Sequence, residues 1–368
     1  MRIAVVTDIP SPYQVELFNE LASLPGWTVT IIYIRRSDKG RSWDNQPISH
    51  EHLVLAEVSD ALLAKIIIDC DLAVFNGYWP SKAARLMKLR NRSRKAWAFW
   101  GERPGFHFPG WLGRQYRAWA LRDLRSSRAA VWGIGEWAVE GYRRELGTTR
   151  PFFNVPYFSR LGPFLQIERR FQTDQPCRFL FSGSFIHRKG VDILVAAFSR
   201  LTADGIEAEL HLLGAGPLQK ELQAKYFAIR DRVHAYGFKQ WNELFAVYAR
   251  ADVLCVPSRY DGWGLVVAEG LAAGMPVIST DCTGAARELI NSQNGWLLPA
   301  GSEDALYDAL KSAATLSAER LRIMSKHARQ TAMTQDIEAG VQRFYSAAIE
   351  TIKHWEGRQN KAAPQHCS

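Results

Sequence analysis

Short runs of β-branched and aliphatic residues alternate with longer segments of helical periodicity along nearly the whole chain. This alternation is typical of βαβ units, in which a helix connects two parallel strands of one sheet. The strands fall into two series, so the sequence predicts an α/β fold with two doubly wound domains. The predicted strands are Ile3 to Thr7, Val29 to Ile34, Leu72 to Phe75, Ala96 to Trp100 and Ala129 to Gly133 in the first series, and Phe179 to Ser182, Leu210 to Leu213, Val233 to Tyr236, Val253 to Val256 and Val277 to Ser279 in the second.

The segment 161–176 separates the two series. It contains Gly162, Pro163 and several charged residues without periodicity, which is typical of a linker. We therefore expect a first domain over residues 1–160, a linker over 161–176 and a second domain over 177–335. Residues 336–368 are expected to form a C-terminal helix and tail, with the helix packing back on the first domain. The carboxyl ends of the strands in both domains are expected to face a central cleft that binds ligands.

Composition excludes several classes of protein. No uncharged apolar run approaches the ~18 residues of a membrane-spanning helix, and the N-terminus lacks the apolar core of a signal peptide. The five cysteines are odd in number and widely spaced, which argues against a disulfide framework or a zinc knuckle. We therefore expect reduced thiols and a cytoplasmic protein.

The stretch from Pro257 to Val277 is the most informative for function. A strand ends at Pro257 and glycines open a helix near Leu265, so free backbone amides would form an anion site there. Asp261 and Glu269 bracket this loop, and a carboxylate in the first turns of such a helix can accept hydrogen bonds from vicinal ribose hydroxyls. The alternative is a turn with a capping aspartate and a surface glutamate.

This stretch resembles the retaining, nucleotide-sugar-dependent glycosyltransferases of family four, also called group 1, which have two Rossmann-like domains in the GT-B arrangement. The resemblance implies that Asp261 and the amides that follow it hold the donor sugar, and that Glu269 binds ribose. The family has glutamate where this chain has Asp261, whose side chain is one methylene shorter. The matching residues are Asp261, Trp263, Gly264, Glu269, Gly274, Pro276 and Val277, and Gly262 and Leu265 of the same loop are further candidate donor contacts.

A second segment with the same resemblance runs from Phe181 to Asp192. Arg188 and Lys189 follow a strand and open a helix, where two cations oppose the helix dipole unless an anion binds. The family's diphosphate-binding arginine is replaced by Ser184, so the resemblance assigns this role to Lys189, with Arg188 as its substitute. Gly214, in the loop after the next strand, also matches the family and is a candidate donor contact.

The first domain is where acceptors bind in this fold, and here the chain departs from the family. The loop after the first strand is rich in proline rather than glycine, so Ser11, Tyr13 and Gln14 are candidate contacts to acceptor hydroxyls. Glu102 follows a middle strand and is the candidate for a catalytic polar role, although it is equally expected to pair with a local arginine. His107 is a second candidate, with a surface or packing role as its alternative.

No metal or other cofactor is expected beyond the nucleoside diphosphate sugar co-substrate. Asp69-Cys70-Asp71 imitates a metal-binding Asp-x-Asp motif, but it precedes a strand instead of following one. The leaving diphosphate is therefore expected to be stabilised by Lys189, Arg188 and a helix dipole, without a divalent ion.

The formal net charge of +9 is concentrated between Lys82 and Arg128, where 13 lysines and arginines face only Glu102 and Asp123. Such a patch requires an anionic partner. Residues 111–128 predict one amphipathic helix, with its apolar face on the sheet and its cationic face either in water or against anionic lipid. The arginines predicted to form that cationic face are Arg114, Arg117, Arg122, Arg125 and Arg128.

Taken with the resemblance, these features predict a metal-independent glycosyltransferase of the hexosyltransferase type, and the resemblance implies that it retains the anomeric configuration. It would transfer sugar from a nucleoside diphosphate sugar, with UDP-sugar favoured, to a membrane-associated glycolipid in bacterial surface polysaccharide assembly. The protein would lie at the inner face of the membrane as a peripheral protein. One alternative is transfer to a soluble small molecule, and another is a basic, non-enzymatic nucleic-acid-binding protein. No recognisable nucleic-acid module is present, so no nucleic-acid partner is expected.

Overall fold

The computed structural model describes residues 1–37, 47–77, 82–105, 110–172 and 175–362. The chain folds into two compact units. One contains the segment from Met1 to Ser159 together with the C-terminal helix that begins at Ile337, and the other runs from Arg160 to Asp336.

The first unit is built on a parallel sheet that has, within the described ranges, seven strands in the order β3-β2-β1-β4-β5-β6-β7. Residues of the central strands are buried on both faces, which explains their continuous apolar sequences. The strands are β1 (Arg2–Thr7), β2 (Thr28–Tyr33), β3 (Glu51–Val54), β4 (Leu72–Asn76), β5 (Trp97–Gly101), β6 (Ala130–Gly133) and β7 (Phe152–Asn154). The helices that precede the second unit are α1 (Pro12–Ala22), α2 (Asp60–Asp69), α3 (Lys82–Arg92), α4 (Gly110–Ala120), α5 (Arg122–Ser126) and α6 (Glu136–Leu146).

The second unit has a parallel sheet of six strands among its described residues, in the order β10-β9-β8-β11-β12-β13. Its strands are β8 (Cys177–Ser182), β9 (Ala208–Leu213), β10 (Val233–Gly237), β11 (Val253–Val256), β12 (Val277–Thr280) and β13 (Gly295–Leu298). Its helices are α7 (Gly162–Leu165), α8 (Val191–Ala203), α9 (Gln219–Lys225), α10 (Trp241–Tyr248), α11 (Leu265–Ala272), α12 (Gly284–Leu289), α13 (Glu303–Ala314) and α14 (Ala318–Ala332). Short 3₁₀ turns cover His187–Lys189, Phe227–Arg232 and Met333–Gln335.

The final helix, α15 (Ile337–Ala362), belongs to the first unit. Phe344 packs edge-on against Trp132 with ring centroids 4.9 Å apart, and the indole N–H of Trp132 donates to Thr351 Oγ1 over 3.1 Å. The prediction that the C-terminal helix packs on the first domain is therefore confirmed.

The predicted α/β class with two parallel sheets is confirmed, and each of the ten predicted strands is present with its ends within two residues of the prediction. Three strands were not predicted: β3, β7 and β13. Each lies at the edge of its sheet, is short and is partly exposed, so it lacks a continuous apolar run. The segment 161–176 is not a free linker, because it lies in the second unit and α7 buries Phe164.

Two arginines of the basic segment are structural. Arg90 is completely buried and donates to the carbonyl oxygens of Ile67, Cys70 and Ala96, which satisfies carbonyls at the C-terminal end of α2. Arg117 is buried against Glu145, with Nη2 2.6 Å from Oε1. The exposed cationic surface is therefore smaller than the sequence count indicates.

Candidate functional site

Two loops of the second unit come together because β8 and β11 are neighbouring parallel strands. Lys189 lies in the 3₁₀ turn that follows β8, and Asp261 lies in the loop that follows β11. The Lys189 ammonium donates to Asp261 Oδ2 over 2.5 Å, and the carboxylate side chain is only 12% exposed. These two predicted site residues, 72 positions apart in sequence, thus form a largely buried ion pair.

Arg188 adds a second cation to the same carboxylate. Its Nη1 lies 3.8 Å from Asp261 Oδ1 and donates to the carbonyl oxygen of Tyr260 over 3.0 Å. Two cations therefore converge on one carboxylate, which leaves an excess of one positive charge at the carboxyl end of the sheet. This local charge favours an anionic ligand.

The loop that carries Lys189 is held in place by main-chain packing. Gly190 has φ +70°, and a Cβ atom there would overlap the carbonyl oxygen of Pro257. Arg259 donates to both carboxylate oxygens of Asp192, over 2.7 and 2.8 Å. Sequence patterns predicted neither Arg259 nor Asp192 as a site residue. Arg259 lies only three positions after β11, and this position after a strand could have identified it.

The helix α11 begins at this site. Gly264 is its N-cap residue with φ +89°, and no side chain caps the first turn. A Cβ atom on Gly264 would lie 2.9 Å from Thr283 Cγ2 and 3.3 Å from Asp261 Oδ2, so only glycine fits without displacement. The predicted loop from Gly262 to Leu265 therefore does present an uncapped helix N-terminus beside Asp261. The Trp263 side chain is 2% exposed and packs in the interior, so this residue can offer a ligand only its main chain.

Glu269 lies in the second turn of α11 and is half-buried. The hydroxyl of Tyr248 donates to Glu269 Oε2 over 3.1 Å. Tyr248 is buried, and burial together with the negative charge of Glu269 raises the pKa of Tyr248 well above its ordinary value. The phenol therefore stays protonated and orients the carboxylate.

Gly214 allows two loops to pack closely. Its φ is +139°, and a Cβ atom would overlap the carbonyl oxygen of Gly183, so the loops after β8 and β9 touch through their main chains. Its amide already donates to the Gly237 carbonyl over 2.9 Å. This amide is therefore engaged within the protein, and the donor contact at Gly214 stays a prediction.

In the first unit, the predicted acceptor residues lie near the carboxyl ends of β1, β4 and β5. Gln14 is buried and bonds within a network: its Nε2 donates to Asn76 Oδ1 over 3.3 Å, and Thr7 donates to the same oxygen over 3.0 Å. Ser11 is also buried, as the N-cap residue of α1. Both side chains are therefore buried, Gln14 is engaged by Asn76, and their contact with an acceptor stays a prediction.

Tyr13 and Glu102 are the more accessible members of the predicted set. The Tyr13 ring lies 4.8 Å from the ring of Tyr157. Burial, followed by the nearby charges of Tyr13 and Glu102, raises the pKa of Tyr157 well above its ordinary value. Tyr157 and Asn76 thus belong to the same group of side chains as Tyr13, Gln14 and Glu102. Sequence patterns did not identify either residue. His107 lies outside the described residues.

The helix predicted over residues 111–128 is wrong in two respects. It is broken at Leu121, between α4 and α5, and its orientation differs from the prediction. Arg117, assigned to the cationic face, points inward to Glu145, whereas side chains expected to cover the sheet are exposed, Trp119 to 57% and Tyr116 to 40%. The ion pair with Glu145, on the distant helix α6, determines which face of α4 is buried.

Comparison with known proteins places this geometry in a family. Residues 166–331 match the family described as glycosyl transferases group 1. The chain is 24% identical over 185 residues to the putative colanic acid biosynthesis glycosyltransferase WcaL of Salmonella typhimurium, covering 48% of this chain and 46% of the relative. It is 34% identical over 121 residues to an uncharacterized glycosyltransferase of Methanocaldococcus jannaschii, covering 32% of each. The aligned segments thus span less than half the length of either curated relative.

Solved structures match over almost the entire chain. Sucrose-phosphate synthase from Thermosynechococcus elongatus has a TM-score of 0.74 at 19% identity, covering 96% of this chain and 100% of that one. HepE from Anabaena, solved in complex with UDP, has a TM-score of 0.74 at 14% identity, covering 95% and 100%. The chain therefore has the GT-B fold, and its segment 166–331, which contains Lys189 and Asp261, matches the glycosyl transferases group 1 family.

Proposed function

We propose that the protein transfers a sugar, with retention, from a nucleoside diphosphate sugar to a hydroxyl of a membrane-associated glycolipid in bacterial surface polysaccharide assembly. The observation that carries this proposal is the convergence of Lys189 and Arg188 on Asp261 beside the uncapped start of α11. The matched relative WcaL is named for colanic acid biosynthesis, which supports the choice of pathway class. HepE was solved with UDP, which supports a uridine nucleotide as the donor base.

In the proposed donor complex, the diphosphate lies against Lys189 and Arg188. The ion pair with Asp261 fixes the position of the Lys189 ammonium, which lowers the reorganisation needed for binding. When the diphosphate binds Lys189, the Asp261 carboxylate becomes free to accept a hydrogen bond from a donor-sugar hydroxyl. Glu269, oriented by Tyr248, accepts hydrogen bonds from the ribose.

The proposed transfer step breaks the bond between the anomeric carbon and the diphosphate and forms a new bond to the acceptor oxygen on the same face. The acceptor hydroxyl gives its proton to the departing diphosphate oxygen, so no additional base is required. Lys189, Arg188 and the helix N-terminus stabilise the charge that develops on the diphosphate. In the first unit, Glu102 is proposed to orient the acceptor or to balance charge near the anomeric carbon.

This reaction is expected to continue in excess chelator, because cationic side chains occupy the place where a divalent ion would neutralise the diphosphate. The test is to screen UDP-, GDP- and ADP-sugars for release of nucleoside diphosphate in the presence of a membrane lipid extract, with and without EDTA. Equal turnover in both conditions is predicted. A complete loss in EDTA that added metal restores would overturn metal independence, and no release from any donor would overturn sugar transfer itself.

The outer face of α4 supports the membrane part of the proposal. At about 100° per residue, its exposed apolar side chains occupy one arc of about 140°, on the side opposite Gly113 and Arg117. Exposed arginines flank this face, and tryptophan at a cationic surface is typical of helices that lie in the membrane interface. No helix within the described residues combines the length and apolarity needed to cross a membrane. The exposed apolar side chains are Trp111, Leu112, Tyr116 and Trp119.

We expect the protein to sediment with vesicles that contain anionic lipid and to bind neutral vesicles only weakly. Changing Arg114, Arg122 and Arg125 together to glutamate should abolish binding, because each cation near the headgroups contributes about 1 kcal/mol. Changing both Trp111 and Trp119 to serine should weaken binding even at low salt, because the apolar contact is lost. Arg117 is left unchanged, since its loss would break the pair with Glu145.

The matched control for charge changes three exposed cations on α14 to glutamate, namely Arg320, Arg322 and Lys326. This control alters the net charge by the same amount and should leave vesicle binding intact. Binding that is equal for neutral and anionic vesicles, or that is lost equally in the control, would contradict the membrane proposal and favour a soluble acceptor. The nucleic-acid alternative gives no role to the loop from Asp261 to Glu269 and is not favoured.

A further inference from the structure

We propose that Glu209, His211 and His234 form a binding site for a divalent transition metal of zinc-like chemistry on the sheet of the second unit. Glu209 and His211 are two residues apart on β9, so their side chains share one face of the sheet. His234 lies on the edge strand β10 and is the direct register partner of His211. Ala208, Leu210 and Leu212 on the opposite face of β9 belong to the hydrophobic core, so the polar cluster lies on the face of the strand away from that core.

The distances within this metal cluster suit a small cation. Glu209 Oε2 lies 3.4 Å from His211 Nε2 and 3.5 Å from His234 Nε2, and the three ligand atoms all lie within 4.8 Å of one another. Ligands bound tetrahedrally to zinc at 2.0–2.1 Å are roughly 3.3 Å apart. The two imidazole nitrogens lie within 4.8 Å of each other, and His234 lies on an edge strand with a partly exposed side chain, which allows it to adjust to a metal ion.

An independent observation points to a missing ligand for His211. This side chain is only 5% exposed, yet among the described residues its Nε2 atom makes no hydrogen bond and has only the 3.4 Å ion-pair contact with Glu209 Oε2. The other ring nitrogen, Nδ1, is 2.8 Å from the hydroxyl of Tyr236. When Nδ1–H donates to this hydroxyl, the Nε2 lone pair faces the cluster, which is the usual arrangement of a metal-bound histidine.

Two arginines near Glu209 pair with other carboxylates, which leaves Glu209 available to bind a metal ion. Arg178 is opposite Glu209 in register on β8, but its guanidinium binds Asp252 over 2.8 and 2.9 Å. Arg232, at the start of β10, binds Glu207 over 2.6 Å.

Two imidazoles and one carboxylate favour zinc, nickel, cobalt or copper over magnesium or calcium, which prefer oxygen ligands. Three protein ligands leave a fourth position for water. The metal would join the edge strand β10 to β9 and thereby stabilise the second unit. This site lies on the bodies of two strands and shares no residue with the proposed donor site, so it stands independently of the proposed function.

The test is calorimetric titration of ZnCl₂ into the full, untagged chain after dialysis against chelator. We expect one saturable site whose affinity falls by ~10–100-fold in Tyr236→Phe, which removes only the partner of Nδ1. His234→Ala and Glu209→Gln, which remove ligands, should weaken binding at least as much. The matched control is His52→Ala, which removes an exposed histidine from β3 in the other unit and should leave the affinity unchanged.

Two further measurements separate metal binding from damage to the fold. Zinc should raise the unfolding temperature of the wild type but not that of His234→Ala, while both fold equally well without zinc. Cobalt bound to the wild type should give the visible absorption bands typical of a metal ion with a low coordination number, and His234→Ala should lose these bands. Zinc affinity that is the same in the wild type and His234→Ala, or the absence of any saturable site, would overturn the proposal.

Discussion

Replacing Lys189 with alanine is expected to reduce sugar transfer by about ten- to hundredfold, which corresponds to a loss of ~1.5–3 kcal/mol of transition-state stabilisation. The Lys189 ammonium lies at the start of α8, beside an excess of positive charge that would meet the leaving diphosphate. Arg188→Ala is expected to cost the same or less, because its guanidinium is partly occupied by the carbonyl of Tyr260. The measurement is kcat/KM for the donor identified by the screen.

The matched control is Lys220→Ala, which removes an exposed lysine from α9. It should retain full activity. Loss of Lys189 also leaves Asp261 without its closest partner, so circular dichroism and the unfolding temperature must be compared for the two variants. Full turnover by a folded Lys189→Ala protein would show that the diphosphate does not bind there.

Replacing Gly190 with alanine is expected to destabilise the second unit by about 2–5 kcal/mol, because left-handed backbone strain adds to a steric overlap. The added Cβ atom would overlap the Pro257 carbonyl oxygen, and main chain cannot move aside as a flexible side chain would. Since Gly190 joins the turn of Lys189 to α8, the same change should displace Lys189 from Asp261 and lower activity in any protein that still folds.

Gly205, at the other end of α8, is a close control for this prediction. Its φ is +76°, similar to the +70° of Gly190, but a Cβ atom there would have no neighbour within 4 Å. Gly205→Ala should therefore cost only the backbone strain of about 1–2 kcal/mol. Urea unfolding of both variants measures the difference. Equal destabilisation would mean that the overlap with the Pro257 carbonyl oxygen adds nothing to the loss of stability in Gly190→Ala.

The strands and the loops that carry Lys189 and Asp261 were predictable because local patterns encode them. Buried parallel strands have continuous apolar sequences, Lys189 and Asp261 follow strands, and Glu269 lies in the helix after the Asp261 loop, at positions that resemble the family. Their assembly is a consequence of strand order: β8 and β11 are neighbours, so the loops that follow them meet. The short edge strands were missed because their partly exposed sequences resemble those of loops.

Residues whose roles depend on distant partners could not be predicted. The periodicity of α4 identified two faces but not which one is buried, because that choice depends on Glu145, 28 residues from Arg117. Gln14 was expected to meet an acceptor, yet Asn76 engages its amide in the interior. No sequence spacing links His211 to His234, which become neighbours only when β9 and β10 pair in register.

We propose that the second unit binds a nucleoside diphosphate sugar through Lys189 and Glu269. Titration of the full chain with UDP, GDP and ADP tests this claim. One of these nucleotides is predicted to bind once per chain, with an affinity that falls by about tenfold or more in Lys189→Ala and also falls in Glu269→Gln. Lys220→Ala should bind as the wild type does. If no nucleotide binds, or if binding is unchanged in both site variants, the claim is contradicted.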